Sequence, residues 1–137
     1  MKKLLLIGAL ILAANFSFGQ SLQKGNLLGL HIMTVNLNSG ATMDQFQTFF
    51  ISKVIPEYEK QFQGVKGYLV KAVRGENNNS FGIVWLFDTE QSRDKYFGAD
   101  GNPNDLGKSA IEKVSGIEKE LEKLGTYTTK FTDWVIQ

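Results

Sequence analysis

Two stretches of the chain, Leu27–Leu37 and Phe81–Phe87, are apolar at both alternate sets of positions. In the first, Leu27, Met33 and Val35 alternate with Leu28, Leu30 and Ile32; in the second, Phe81, Ile83, Trp85 and Phe87 alternate with Val84 and Leu86. A strand with one wet face alternates apolar with polar residues, so these two read as strands covered on both sides. Whatever sheet they form needs a layer over each face, and no other feature limits the fold as much.

Composition removes several function classes. The 137 residues contain no Cys and one His, so disulfide scaffolds, thiol redox chemistry, Cys-ligated zinc and Cys-anchored lipoproteins are excluded, and no His pair exists for a metal. A net charge of +1 gives no basic field for nucleic acid, which is not an expected partner. With 42% hydrophobic residues the chain can build a core without staples.

Met1-Lys2-Lys3 is a short positive segment followed by the apolar run Leu4–Ala14 and the small, polar stretch Asn15–Gln20. A bilayer-spanning helix needs about 20 apolar residues, so residues 1–19 read as a secretory signal peptide with Ser17 and Gly19 at the small-residue positions before the cut. Without Lys2 and Lys3, 13 basic side chains face 14 acidic ones. The expectation is an exported, periplasmic or extracellular protein with no membrane contact after cleavage. A polar leader at 20–26 then precedes one domain, 27–137.

Within that domain Thr42-Met43-Asp44-Gln45 matches a capping box, opening a helix whose Phe46, Phe49, Phe50, Val54 and Tyr58 step by three and four. Pro56 predicts a kink or two shorter helices. Val65–Arg74 and Phe81–Phe87 flank the polar turn Gly75–Ser80 and predict a hairpin. Asp88-Thr89-Glu90-Gln91 opens a short helix through Phe97 to Gly98. Leu106, Ala110, Ile111, Val114, Ile117, Leu121 and Leu124 predict a long helix capped by Gly125, its outer face solvated by alternating Glu and Lys. Thr126–Ile136 closes the chain as a strand.

The order strand, helix, strand, strand, helix pair, strand predicts an α+β, ferredoxin-like split βαβ fold: a four-stranded antiparallel sheet with helices on one face. The other face then needs a cover. Burying roughly 600 to 1,000 Å² of it per subunit contributes on the order of 15 kcal/mol before association costs, which a homodimer would supply.

In element order over residues 27–137 the chain resembles the dimeric α+β barrel superfamily, which includes antibiotic-biosynthesis monooxygenase-like and heme-degrading proteins. The Pro56 helix running into Gly64-Val65-Lys66-Gly67-Tyr68, and the strand Ile83-Val84-Trp85-Leu86-Phe87-Asp88 running into a short helix, carry the resemblance. It implies a site between helices and sheet, or within a dimeric barrel. Heme-degrading members combine a strand Asn, a Trp in the third strand and an axial His on the second helical segment. Asn36 and Trp85 stand in the first two places, but Thr89–Phe97 contains no His, so heme is not expected and no cofactor is assigned.

His31, Asn36, Tyr68 and Trp85 are the candidate ligand-binding residues, polar or flat-faced groups on otherwise apolar strands. His31 could act as acid or base near neutral pH, or be a hydrogen-bonded histidine of a cavity or interface. Arg74 and Asp133 are a candidate pair near strand ends. The ten Phe chiefly fill a core but make an aromatic pocket feasible. Asp100-Gly101-Asn102-Pro103-Asn104-Asp105 begins like a calcium loop but has Asp105 where the sharp turn needs Gly and Ile111 at the twelfth position, favouring a turn that caps the next helix. Asn78-Asn79-Ser80 spells a glycosylation acceptor and no more. The expectation is a small apolar or aromatic ligand, with a cofactor-independent monooxygenase-like enzyme and a structural or interaction module as alternatives.

Overall fold

The computed structural model describes residues 21–137, so the export segment lies outside the described residues. Four strands, β1 (Leu27–Leu37), β2 (Val65–Lys71), β3 (Phe81–Phe87) and β4 (Gly125–Val135), form one sheet in the order β2-β3-β1-β4. Every neighbouring pair is antiparallel. The doubly apolar strands β1 and β3 take the two central places, and the more polar β2 and β4 take the edges. This is the ferredoxin-like α+β arrangement.

The register fixes which side chains share a face. Leu27, Gly29, His31 and Met33 of β1 stand opposite Phe87, Trp85, Ile83 and Phe81 of β3, and opposite Val135, Asp133, Phe131 and Thr129 of β4. This set faces the helices. Met33 and Ile83 pack there with Phe46, Phe50, Val54 and Leu121, which are all but completely buried.

Helix α1 (Met43–Phe49) begins as expected, with Thr42 and Gln45 satisfying each other's backbone amides in a capping box. It does not run on to Pro56 as an α-helix. A π-helical turn, Phe50–Val54, intervenes before α2 (Ile55–Gln61), with the Ile55 N–H bonded to the Phe50 carbonyl. Apolar residues at steps of four, Phe46, Phe50, Val54 and Tyr58, would drift by about 40° per step on a 3.6-residue helix. The wider turn keeps them in line toward the sheet. Pro56 then falls in the first turn of α2 and, having no N–H, cannot bond back into the π-helical turn as Ile55 does.

Four boundaries differ from the sequence reading. The β2 ladder ends at Lys71 rather than Arg74, because Ala72 exchanges backbone bonds with Ser80 and Asn79 and the chain reverses there. Helix α3 (Glu90–Asp94), capped by Thr89, stops well short of Gly98. Tyr96 turns inward, where its hydroxyl accepts the Gln63 N–H at 2.9 Å, and Phe97 bridges to Pro103. Helix α4 (Asp105–Leu121) ends before Gly125, which opens β4 instead of capping. A Cβ at Gly125 would stand 2.6 Å from the Asn36 carbonyl oxygen, so the close approach of β4 to β1 requires glycine.

The 20–26 leader is pinned over its described part. Gly25 and Asn26 exchange backbone bonds with Ile136, and the buried Asn26 amide donates to the Asp88 carbonyl at 2.9 Å. The calcium-like loop is a turn. Asp100 accepts from the backbone and side-chain amides of Asn102, which hold its carboxyl below its ordinary value, while Asn104 caps α4 through the Gly107 N–H.

Candidate functional site

Two aromatic residues of the helix-facing surface owe their positions to glycines. Trp85 on β3 has Gly67 of β2 and Gly29 of β1 as its cross-strand neighbours. A Cβ at Gly67 would run into the Trp85 ring and come within 2.9 Å of Ile55, so the indole lies flat over β2 only because position 67 is bare. On β4, Phe131 stacks against His31 with ring centroids 5.2 Å apart, and the left-handed Gly101 of the α3–α4 connection passes over the Phe131 ring. Tyr58 of α2 completes the wall, 5.2 Å from Trp85.

These groups enclose a cavity of about 260 Å³ between the sheet and the α2, α3 and α4 segments. Its two ends differ chemically. At one, the hydroxyls of Tyr58 and Tyr127 both donate to Oε1 of Glu118 on α4, at 2.9 and 3.0 Å. Burial first, and then the negative charge of Glu118, raises the Tyr58 phenol well above its ordinary range; burial and both of those neighbours do the same to Tyr127. With their hydroxyls committed, the two tyrosines present carbon to the cavity.

The other end, six residues along β4, is polar. Arg93 of α3 is buried, donates to the Gly98 carbonyl at 2.7 Å, lies over the Phe97 ring and places Nε 3.3 Å from Asp133 Oδ2. Asp133 Oδ1 carries no hydrogen bond among the described residues, and neither ring nitrogen of His31 does. Burial lowers the His31 pKa, with Asp133 opposing the shift. The imidazole is therefore neutral at pH 7 and able to accept or donate one hydrogen bond into the cavity.

The four sequence candidates divide between the two sheet faces. His31 and Trp85 line the cavity. Asn36 and Tyr68 occupy alternate positions pointing away from the helices, Asn36 opposite Thr126 and Tyr68 opposite Val84, and both are exposed. The Arg74–Asp133 pair does not form: Arg74 lies beyond the end of edge strand β2, Asp133 sits on the opposite edge, and Asp133 meets Arg93 instead. Arg93 escaped the sequence reading because a single arginine on a short helix looks solvated. The available signal was its spacing, three and four residues before Tyr96 and Phe97, which places it on their side of the turn. Among the described residues no three His, Cys, Asp or Glu side chains gather as metal ligands.

No protein-family model matches the chain, and no curated protein matches it by sequence. Among solved structures it is similar to SnoaB, a cofactor-independent oxygenase from Streptomyces nogalater, at 12% identity and a TM-score of 0.47, covering 82% of this chain and 94% of that one. It is similar also to a NIPSNAP-family protein of unknown function from Agrobacterium tumefaciens, at 11% identity and a TM-score of 0.46, covering 80% of this chain and 89% of that one. The likeness is one of fold.

Proposed function

We propose that this chain is an exported, homodimeric protein that takes a small aromatic molecule into the cavity beneath α4. The cavity itself carries the reading. At about 260 Å³ it lies between the roughly 150 Å³ that holds benzene and the roughly 300 Å³ at which drug-sized pockets begin, which suits a molecule of one or two rings. Its walls are Tyr58, Phe62, Trp85, Phe97 and Phe131, with the charged groups Arg93 and Asp133 at one end.

The dimer rests on the other sheet face. Leu30, Ile32, Val70, Val84 and Trp134 form an apolar band across all four strands, with Trp134 59% exposed. Apolar surface of that extent on both central strands is suited to a second copy of the same sheet. Export rests on the sequence of residues 1–19, and among the described residues no helix is long and apolar enough to cross a membrane.

Native mass spectrometry of the protein purified from its own cell envelope tests the proposal. A dimer with a small-molecule adduct is the expected result; a strictly monomeric chain at micromolar concentration overturns the dimer, and failure of any aromatic probe to bind overturns the cavity reading. A second reading, a small cofactor-independent monooxygenase-like enzyme, is favoured by His31 in the cavity, whose ring nitrogens have no hydrogen-bond partner among the described residues. Loss of turnover in His31→Ala with binding intact would support it, and absence of turnover on quinol-type substrates in the unaltered protein would count against it.

A further inference from the structure

Gly29 is the third residue of central strand β1, where glycine weakens a strand and marks the close approach of another group. An ideal Cβ at this position would lie 3.0 Å from Asp133 Oδ1 and 3.5 Å from His31 Nε2, and Gly29 itself lines the cavity. Neither of those two polar atoms has a hydrogen-bond partner among the described residues, whereas Asp133 Oδ2 is engaged by Arg93.

We infer that the bare Gly29 backbone, flanked by Asp133 Oδ1 and His31 Nε2, is a notch that reads an O–H or N–H donor on the bound aromatic molecule. The inference rests on the cavity reading proposed above and goes further by naming the chemistry of the ligand's polar end. Asp133 is an acceptor only, and a carboxylate or other anion placed against it would be repelled. A ring with no donor would cover Oδ1 and Nε2 and leave both desolvated, which costs more than the contact returns. A hydroxyl satisfies both, donating to Oδ1 and exchanging a bond with the neutral imidazole; an N–H satisfies Oδ1 with charge assistance. The opposite end of the cavity offers no such atom, because the Tyr58 and Tyr127 hydroxyls are turned to Glu118. The donor therefore enters at the Asp133 end, and the ring lies toward Tyr58.

Isosteric probes separate this from simple apolar filling. Isothermal titration of the purified chain with indole, 1-methylindole and benzothiophene compares one shape with and without an N–H, and 2-naphthol against naphthalene does the same for O–H. Indole is expected to bind about tenfold or more tightly than both of its analogues, the size of one charge-assisted hydrogen bond, with 2-naphthol exceeding naphthalene similarly. A gap in only one of the pairs identifies which donor the notch takes. In Gly29→Ala the gap should shrink to within about twofold, since the added methyl crowds Asp133 Oδ1. Equal affinities within both pairs in the unaltered protein overturn the notch and leave the cavity reading standing. No binding of any probe overturns both. The probe comparison needs no variant, so it decides the matter even if Gly29→Ala does not fold.

Discussion

Arg93 Nε lies 3.3 Å from Asp133 Oδ2, and this contact ties α3 and the connection after it to the edge strand β4 at the polar end of the cavity. The same guanidinium donates to the Gly98 carbonyl, so one buried side chain holds both the strand and the loop. Of the two carboxylates that meet this buried cation, Asp133 is the more shielded and Asp94, 3.4 Å away, is largely exposed, so loss of Asp133 removes the stronger partner. Asp133→Ala should destabilise the fold by about 2 kcal/mol, between the values for exposed and fully buried pairs, because the Asp133 side chain keeps 28% of its exposure. Urea denaturation measures it; a change below a few tenths of a kcal/mol would mean that Arg93 relaxes into water.

The His31 shift has a defined sign. Its folded pKa lies below the ordinary imidazole value of 6.5, so the unfolded chain binds the proton more readily. Stability should therefore be full above pH 6.5 and fall as the pH drops from there through the lower, folded pKa. Thermal melts between pH 7.5 and pH 5 should show a slope that flattens in His31→Gln. An unchanged slope in that variant would remove His31 as its source.

Tyr58 and Tyr127 should ionise above the ordinary phenol value of 10.0. Because the folded state holds these protons longer than the unfolded one, their contribution is present below pH 10 and is lost as the pH rises beyond it. In Glu118→Gln an acceptor remains but the charge does not, so both phenols should titrate lower in a spectrophotometric titration. Glu118→Leu leaves two half-buried hydroxyls without their acceptor and should cost about 2 to 4 kcal/mol. Equal stability of the Gln and Leu variants would contradict the shared-acceptor geometry.

Gly67→Ala tests the seat of Trp85. The added methyl meets the indole ring and Ile55 together, and overpacking of this kind costs about 1 to 3 kcal/mol. The displaced ring should alter the near-ultraviolet circular dichroism and weaken aromatic probe binding. A variant with unchanged spectrum and affinity would show that the ring can move without consequence.

The local chemistry of the chain was sufficient for the element order. The doubly apolar runs Leu27–Leu37 and Phe81–Phe87, the Thr42–Gln45 capping box and the periodic face of α4 each carry their own signal within a few residues, and together they name the ferredoxin-like sheet. His31 and Trp85, which line the cavity, were legible as candidates because a polar or flat side chain on an apolar strand stands out. Which face each occupies was decided by the alternation across the assembled sheet, which sent Asn36 and Tyr68 to the side away from the helices. The replacement of Arg74 by Arg93 as the partner of Asp133, the close approach of Asp133 to Gly29 and the turning of two tyrosines toward one glutamate depend on residues brought together from distant parts of the chain. Periodicity reports a residue's own face and burial; a contact between two side chains is fixed only by strand order, register and the path of the chain between them.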